Sequence, residues 1–529
     1  MDTFDFIVVG AGSAGCVLAN RLSANPSTRV LLLEAGGETH PLSRVPISFS
    51  LFIDAPKVNW RYVAEPEEAT GDRAIPVPRG RMLGGSSAIN GLVYVRGQPL
   101  DYNTWAQLGN RGWSYEDLLP VFRKMERYEG SPSELRATDG PLGVSVSPDE
   151  SPIYEALYRA GEELGLPRNS DYNGHDQEGM CKTQTTISNG RRMSVSHCYL
   201  SPARRRSNLT VVTNAYAQKL LLDGKQCTGI EYKRGGKTVQ VRANKDVVLS
   251  AGSINSPQLL ELSGIGRPEV LSSHGIEVRH ALAGVGENFR DHYAPRLAMK
   301  INGKGVTYND RAKGLGLGWQ ILRYAITRKG FLSIPSAPML AFLKSRDGLE
   351  TPDIQVHFVP FTVKNVKKRQ LGDDPGLTMT FYQLRPESLG SIHIKSSDPN
   401  AAPAIRFNFL SDPADQQCML DGVRKMRELM STQAMAQFRA GWIKPTDDIQ
   451  SDDDVLDWVK ATAETAYHPI GTCKMGNDPL AVVDAELRVH GIGGLRVADG
   501  SVMPTMVSGN TNAACIMIGE KAAEMILAS

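Results

Sequence analysis

Three glycines, one carboxylate and one histidine are the residues of this chain whose types and spacing could do chemistry. Gly10, Gly12 and Gly15 form G-x-G-x-x-G directly after the apolar run Phe6 to Val9. Glycines so placed allow a tight turn and let backbone amides approach a pyrophosphate at a helix N-terminus. Glu34 follows about 20 residues later, where a carboxylate can accept both hydroxyls of a ribose and repel a 2′-phosphate. Together they read as a dinucleotide site that disfavours NADP, and they do not separate NAD from FAD. The bland alternative is a mere glycine-rich turn, which the strand, helix and acidic residue together weigh against. Of ten histidines, His468 differs from the rest because Pro469 holds it extended just before a Gly471-Thr472 turn. An imidazole there is a candidate general base, and a hydrogen-bonded structural histidine is the alternative that spacing leaves open. The other nine read as surface or structural residues.

Elements must carry these groups. Asp5 to Val9 and Arg29 to Glu34 read as buried strands and Ser13 to Ser23 as a helix, so the chain opens on a βαβ unit of a doubly wound sheet. Beyond Gly36, a stretch with Pro76, Pro78, Gly80, Gly84 and Gly85 reads as an extended excursion over a bound ligand. Asp246 to Ala251 reads as a strand followed by a helix with Ser256 as N-cap, Pro257 at its first position and Gly264 past its end. Mixed strands such as Ile354 to Phe358 and Ser391 to Ile394, with helices near Trp319 and Met419, read as a separate cap on the substrate side. Strand Leu495 to Ala498, a turn at Pro504 and a helix from Asn512 to Leu527 return to the first style. The expected fold is α/β: a Rossmann-like domain over 1–155, 201–294 and 459–529, interleaved with an α+β cap containing an antiparallel sheet over 156–200 and 295–458.

The 529 residues suffice for a large core, and 59 Lys plus Arg against 57 Asp plus Glu leave no field that would attract nucleic acid. The triplet Arg204-Arg-Arg206 reads as a solvated turn. Seven cysteines without a C-x-x-C pair read as free thiols in a reducing compartment, with no metal site. No leader-like N-terminus and no run of 18 apolar residues is present, so a cytoplasmic protein is expected. Arg311 to Lys329 sets Trp319, Leu322 and Ile326 at helical spacing among cations, and Lys364, Lys367, Lys368 and Arg369 follow. The expectation is an amphipathic helix packed on the cap or on a second subunit, with peripheral docking on an anionic membrane as the alternative.

Four separated segments carry a resemblance: Arg79-Gly-Arg-Met-Leu-Gly-Gly-Ser-Ser-Ala-Ile-Asn-Gly91, Gly252-Ser-Ile-Asn-Ser-Pro-Gln-Leu-Leu-Glu-Leu-Ser-Gly-Ile-Gly266, Tyr467-His-Pro-Ile-Gly-Thr472 and Gly509-Asn-Thr-Asn512. In this order they resemble the glucose-methanol-choline (GMC) oxidoreductase family over essentially the whole chain, and within it the bacterial alcohol, L-sorbose and choline dehydrogenase branch. The resemblance implies FAD, with its pyrophosphate over Gly10, Gly12, Ser13, Ala14 and Gly15 and its ribose at Glu34 and Ala35. It implies the flavin ring under Arg81, Gly84, Gly85, Ser86, Asn90 and Gly91, and the adenine end near Trp60, Ala217, Ala251 and Gly252. Asp499 and Gly500 fall near the ribityl chain, and the amides near Asn510 and Thr511 would face the ring at a helix start. Ile89 stands where some relatives attach FAD through a histidine, which implies noncovalent flavin. His468 becomes the base for a substrate hydroxyl, Asn512 its partner (a helix N-cap is the plainer role), and Tyr467 a wall of the pocket. The implied reaction oxidises a primary or polyol-type alcohol, with electrons passing to a quinone, a dye or oxygen, in a monomer or homodimer. An oxidase, a flavin-containing lyase and a flavin-binding protein without turnover are the alternatives.

Overall fold

The computed structural model describes residues 2–365 and 370–528, so Lys367, Lys368 and Arg369 of the second basic cluster lie outside the described residues. Its first sheet runs Leu209–Val212, Val30–Leu33, Thr3–Val9, Lys237–Leu249, Gln226–Arg234, Tyr216–Asp223, and Leu495–Val497 joins the end of Lys237–Leu249. Val30–Leu33 is apolar and buried throughout, as strands covered on both faces must be. Lys237–Leu249 serves two neighbourhoods. Its first half alternates exposed and covered residues in an antiparallel pairing with Gln226–Arg234, while Val247–Leu249 is fully buried between parallel partners. Register places Val9 opposite both Leu33 and Leu249, Leu33 opposite Val212, and Leu249 opposite Val497. Five parallel strands therefore end on one line, the edge where open α/β sheets bind ligands.

The first and last helices, Ser13–Leu22 and Asn512–Ala528, lie side by side because Gly519 has no side chain: a Cβ there would sit 2.9 Å from Ala14 Cα. The helix after Lys237–Leu249 begins at Gly252, earlier than the Ser256 cap expected from sequence, and Pro257 lies inside it. Proline leaves the carbonyl of Ser253 without its helical donor, and the hydroxyl of Thr472 donates to that carbonyl at 2.6 Å instead. Ser256 still works near the helix start, accepting from the Ala251 amide at 3.2 Å.

The second sheet is wholly antiparallel, in the order Arg439–Lys444, Arg296–Ile301, Gly376–Gln383, Ile354–Val359, Met339–Leu343, Gly179–Lys182. Helix Pro413–Ser431 backs it, with Gly422 admitting the Phe381 ring. Ile354, Val356 and Phe358 belong to that core, so Gln355 and His357 face the other way, toward the first domain. Ser391–His393 pairs with Ala404–Arg406 in a two-stranded sheet separate from the six-stranded one. Tyr62, Ile75 and Val77 pack into the cap's core although they belong to the first stretch of chain. Helix Gly314–Thr327 does not pack its apolar side on the cap, the first of the expected arrangements: it turns Gln320 and Tyr324 inward and its large apolar side chains outward.

Candidate active site

The line of strand ends opens into a cleft enclosing about 1140 Å³ including its mouth, lined by Gly10, Gly12, Ser13, Ala14, Glu34, Ala35, Trp60, Gly85, Ser86, Ala217, Ala251, Gly252, Asp499, Gly500 and Thr511. Its floor is backbone. A Cβ at Gly10 would lie 2.5 Å from Ser250 O, and one at Gly85 would lie 2.8 Å from Gly12 Cα, so the glycine loop rests directly on the turn. Gly12 caps helix Ser13–Leu22 without a side chain, which leaves the first-turn amides turned toward the cleft without an internal acceptor. Glu34 accepts from the amides of Ala11 (3.0 Å) and Gly36 (2.8 Å), and burial lifts its carboxyl to about 7 against those donors. Asp499 accepts from the Gly252 amide at 2.9 Å and the Ser256 hydroxyl at 2.6 Å, joining two strand ends across the cleft. Apolar floor, free amides, a ribose-level carboxylate and an aromatic wall at Trp60 fit a dinucleotide cofactor.

Six expected cofactor residues stand outside this lining. Gly15 packs helix on strand, since a Cβ there would meet Gly10 O at 1.8 Å. Arg81 lies over the Trp60 ring at 4.6 Å, and Gly84 donates its amide to Ala11 O at 2.8 Å. Asn90 is held by Arg192 at 2.6 Å and Gly91 packs on Ser336, so both serve the shape of the loop. Asn510 belongs to the second cluster.

That cluster is built around His468. Tyr467 is held at φ 68°, strained for a bulky side chain, by Arg79 donating to its carbonyl at 2.8 Å and by its own amide donating to Thr465. Asp291 accepts from the amides of His468 (2.8 Å) and His292 (2.7 Å) and from the Thr465 hydroxyl, and burial raises its carboxyl to about 6. Ser253 donates to Pro469 O at 2.7 Å, so this segment is clamped onto the wall of the cleft, where Arg79 and Pro469 also lie.

Hydrogen-bond logic then assigns the ring protons. His292 Nε2 is 2.9 Å from the carbonyl of Leu384, which can only accept, so Nε2 carries the hydrogen and Nδ1 is bare. His468 Nδ1, 2.9 Å from that bare nitrogen, must donate, which leaves the lone pair of His468 on Nε2. The amide of Asn510 donates to that lone pair at 3.0 Å and accepts at its own Oδ1 from Gln355 at 3.1 Å. Gln355 also donates to His357 Nε2 at 2.9 Å, and its Oε1 is buried without a partner. Burial first, then the neighbouring His292, His357 and Arg79, hold His468 well below the usual histidine range. Burial brings His292 to about 4 and His357 to about 3. The site therefore holds three neutral imidazoles, two of them, His468 and His357, with an unprotonated Nε2 that accepts from a side-chain amide.

Two outcomes differ from the sequence expectation. Asn510, not Asn512, meets His468; Asn512 Oδ1 instead accepts from Ser13 at 2.8 Å, tying the two helix starts together. Asn510 lies in the loop before helix Asn512–Ala528 and Asn512 is the first residue of that helix, so the two side chains leave different backbone conformations and reach different partners. Second, His292, His357 and Gln355 escape a reading of the sequence, which offers no signal for His292 and only the i, i+2 spacing for Gln355 and His357. Other histidines do serve structure, as His393 does between Glu261 and Glu287, raised to about 9 after burial is outweighed by those carboxylates.

Comparison with known proteins agrees with this geometry. The GMC oxidoreductase N-terminal model matches residues 4–294 and the C-terminal model residues 386–519. The chain is 42% identical over 530 residues to an oxygen-dependent choline dehydrogenase of Photobacterium profundum, covering 99% of this chain and 93% of that one. It is 41% identical over 535 residues to one of Escherichia coli, covering 99% and 94%. Among solved structures, pyridoxine 4-oxidase from Mesorbium loti superposes with TM-score 0.89 at 29% identity, covering 98% of each chain. A formate oxidase superposes with TM-score 0.92 at 27% identity, covering 100% of this chain and 98% of that one. With two family models that match residues 4–294 and 386–519 and a relative 42% identical over 99% of this chain, the protein belongs to the GMC oxidoreductase family and is an FAD-dependent oxidoreductase acting on CH–OH groups.

Proposed function

We propose that this enzyme oxidises a neutral primary or polyol-type alcohol to its carbonyl compound, with His468 Nε2 taking the hydroxyl proton. The observation that carries this reading is the chain from Leu384 O through His292 to His468 and Asn510, which leaves one imidazole lone pair beside an amide donor. Bound in the cleft, FAD supplies the ring that accepts the hydride. Gly10 to Ala14 and Glu34 hold its phosphates and ribose, and Ile89, which has no nucleophilic atom, leaves it noncovalent.

The energetics restrict what His468 can do. An alcohol resembling water, pKa near 15.7, and an imidazole at or below 6.5 differ by more than about 12 kcal/mol in proton affinity. Full ionisation before the carbon–hydrogen bond begins to break is therefore too costly. The substrate hydroxyl replaces the Asn510 amide at Nε2, His468 withdraws the proton as the carbon–hydrogen bond weakens, and the released amide donates to the oxygen as charge develops. His292 accepts from Nδ1 throughout, so the ring stays aimed while Nε2 gains its proton.

Choline, named in the relatives, is the second reading. The one fixed charge bearing on His468 is the positive Arg79, and the nearby carboxylate of Asp291 is committed to backbone amides and Thr465, an arrangement that favours a neutral substrate over a cation. Anaerobic mixing of the yellow protein with simple alcohols, polyols and choline tests both readings. Loss of the flavin band near about 450 nm with a neutral alcohol, faster than with choline, supports the first. Faster bleaching by choline selects the second. Carbonyl release without bleaching would instead mean a lyase, and no reaction with any of them a binding protein.

A further inference from the structure

Helix Gly314–Thr327 is built inside out. Its inward side carries Gln320, which accepts from the Phe331 amide at 3.1 Å, and Tyr324, whose hydroxyl donates to Gly190 O at 2.9 Å. Its outward side presents Leu315, Trp319, Leu322 and Ile326, 96%, 62%, 50% and 74% exposed, spaced as one stripe. Leu317 and Ile321 are also exposed but lie off this stripe, on the flank beside Tyr324. An ordinary surface helix has the reverse polarity, so this one is made for a nonpolar phase that meets water at its edges.

The charges say which phase. Arg311 and Lys313 stand before the helix, Arg323 within it, Arg328 and Lys329 after it, and no Asp or Glu occurs between Arg311 and Gly330. Among the described residues none of these five cations forms an ion pair. Lys364, on the adjoining hairpin, is by contrast paired with Asp373. A second copy of the chain bound here about a two-fold axis would bring this cationic frame against itself. A lipid surface with anionic headgroups instead offers acyl chains to the stripe and phosphates to the frame. Trp suits the boundary, with an apolar body and one polar N–H.

We propose that helix Gly314–Thr327 docks this protein on anionic lipid bilayers as an in-plane interfacial anchor. Among the described residues no helix is long and apolar enough to cross a membrane, so attachment is peripheral. Past the helix, Ser336 donates to Gly91 O at 2.9 Å, which puts the glycine loop over the cofactor cleft within one short connection of the lipid.

The test uses the flavin-loaded full chain with vesicles of phosphatidylcholine alone or mixed with phosphatidylglycerol, read by co-sedimentation. The expected result is binding to the mixed vesicles that weakens in high salt. A Trp319→Ser/Leu322→Ser/Ile326→Ser variant should lose at least about tenfold in bound fraction, with flavin content unchanged since all three side chains lie on the surface. Arg328→Gln/Lys329→Gln should lose the preference for anionic lipid. As a check independent of the polar variants, brominated lipid should quench part of the wild-type tryptophan fluorescence and less of it in Trp319→Phe. Sedimentation equal in wild type and triple variant, no sedimentation at all, or quenching unchanged in Trp319→Phe would overturn the proposal. So would light scattering that shows a dimer which the triple variant converts to monomer, because the stripe would then be a self-interface.

Discussion

The cofactor cleft and the imidazole cluster sit side by side yet are built on opposite plans. The cleft is made of backbone: turns held close by absent side chains at Gly10, Gly15 and Gly85, which let main-chain segments such as Gly10 and Ser250 touch. The cluster is made of side chains from distant segments, His292, the Gln355 and His357 strand, His468 and Asn510, none of which is in hydrogen-bonding reach until both domains have folded. A backbone site fails by steric exclusion, abruptly. A side-chain network fails in steps, one hydrogen bond at a time.

The sharpest way to break this contrast is Gly15→Val. A side chain 1.8 Å from Gly10 O must open the turn, so the purified protein should carry essentially no flavin, read from its absorbance ratio at about 450 nm to 280 nm. Full flavin content would show that the cleft is not set by backbone approach. His468→Ala should keep its flavin and lose about 10³-fold or more in kcat/KM, measured by stopped-flow reduction. A loss below tenfold would remove it as the base. Asn510→Ala should lose about 10²-fold and Asn512→Ala less than tenfold, since only the former touches the imidazole. The reverse order would return the partner role to Asn512.

Acidity sharpens the comparison further. The folded protein holds His292 near 4 and His357 near 3, whereas the unfolded chain takes up those protons near 6.5. Each group's contribution is therefore full above about pH 6.5 and is lost as the pH falls, toward 4 for His292 and toward 3 for His357, on the order of 3 kcal/mol for His292 alone. Melting temperatures should drop over that window, and His292→Gln/His357→Gln should flatten the drop even if it melts lower at neutral pH. An acid slope unchanged in that variant would locate the protons elsewhere. The smallest effect is expected from Thr472→Val, which leaves the Ser253 carbonyl beside Pro257 without a donor and should cost about 1–3 kcal/mol, seen as a lower melting temperature with flavin retained.

Legibility followed the same division. The G-x-G-x-x-G turn, its flanking strand and helix, and Glu34 were readable because their signals are local: glycine where the backbone crowds, apolar runs where strands are buried on both faces. Pro257 misled the helix start because a hydroxyl more than two hundred residues away, on Thr472, satisfies the carbonyl that proline leaves open. The stripe on Gly314–Thr327 was visible, but its direction was not, since a helical period says which residues share a face and nothing about what that face meets. Asn510 and Asn512 look alike in sequence, and two steps of chain separate one that points to His468 from one that points to Ser13.

By itself the sequence determined where the chain must bend tightly, which strands are buried, and that a dinucleotide-type cleft with an imidazole in the last part of the chain is present. Only the tertiary structure decided which nitrogen of His468 is unprotonated, which amide meets it, and which two further histidines stand behind it. The physical reason is what each constraint leaves in the residue type: backbone crowding demands glycine whether the neighbour is near or, as Ser250 is to Gly10, far in sequence, whereas proton placement depends on partners that only folding brings within about 3 Å.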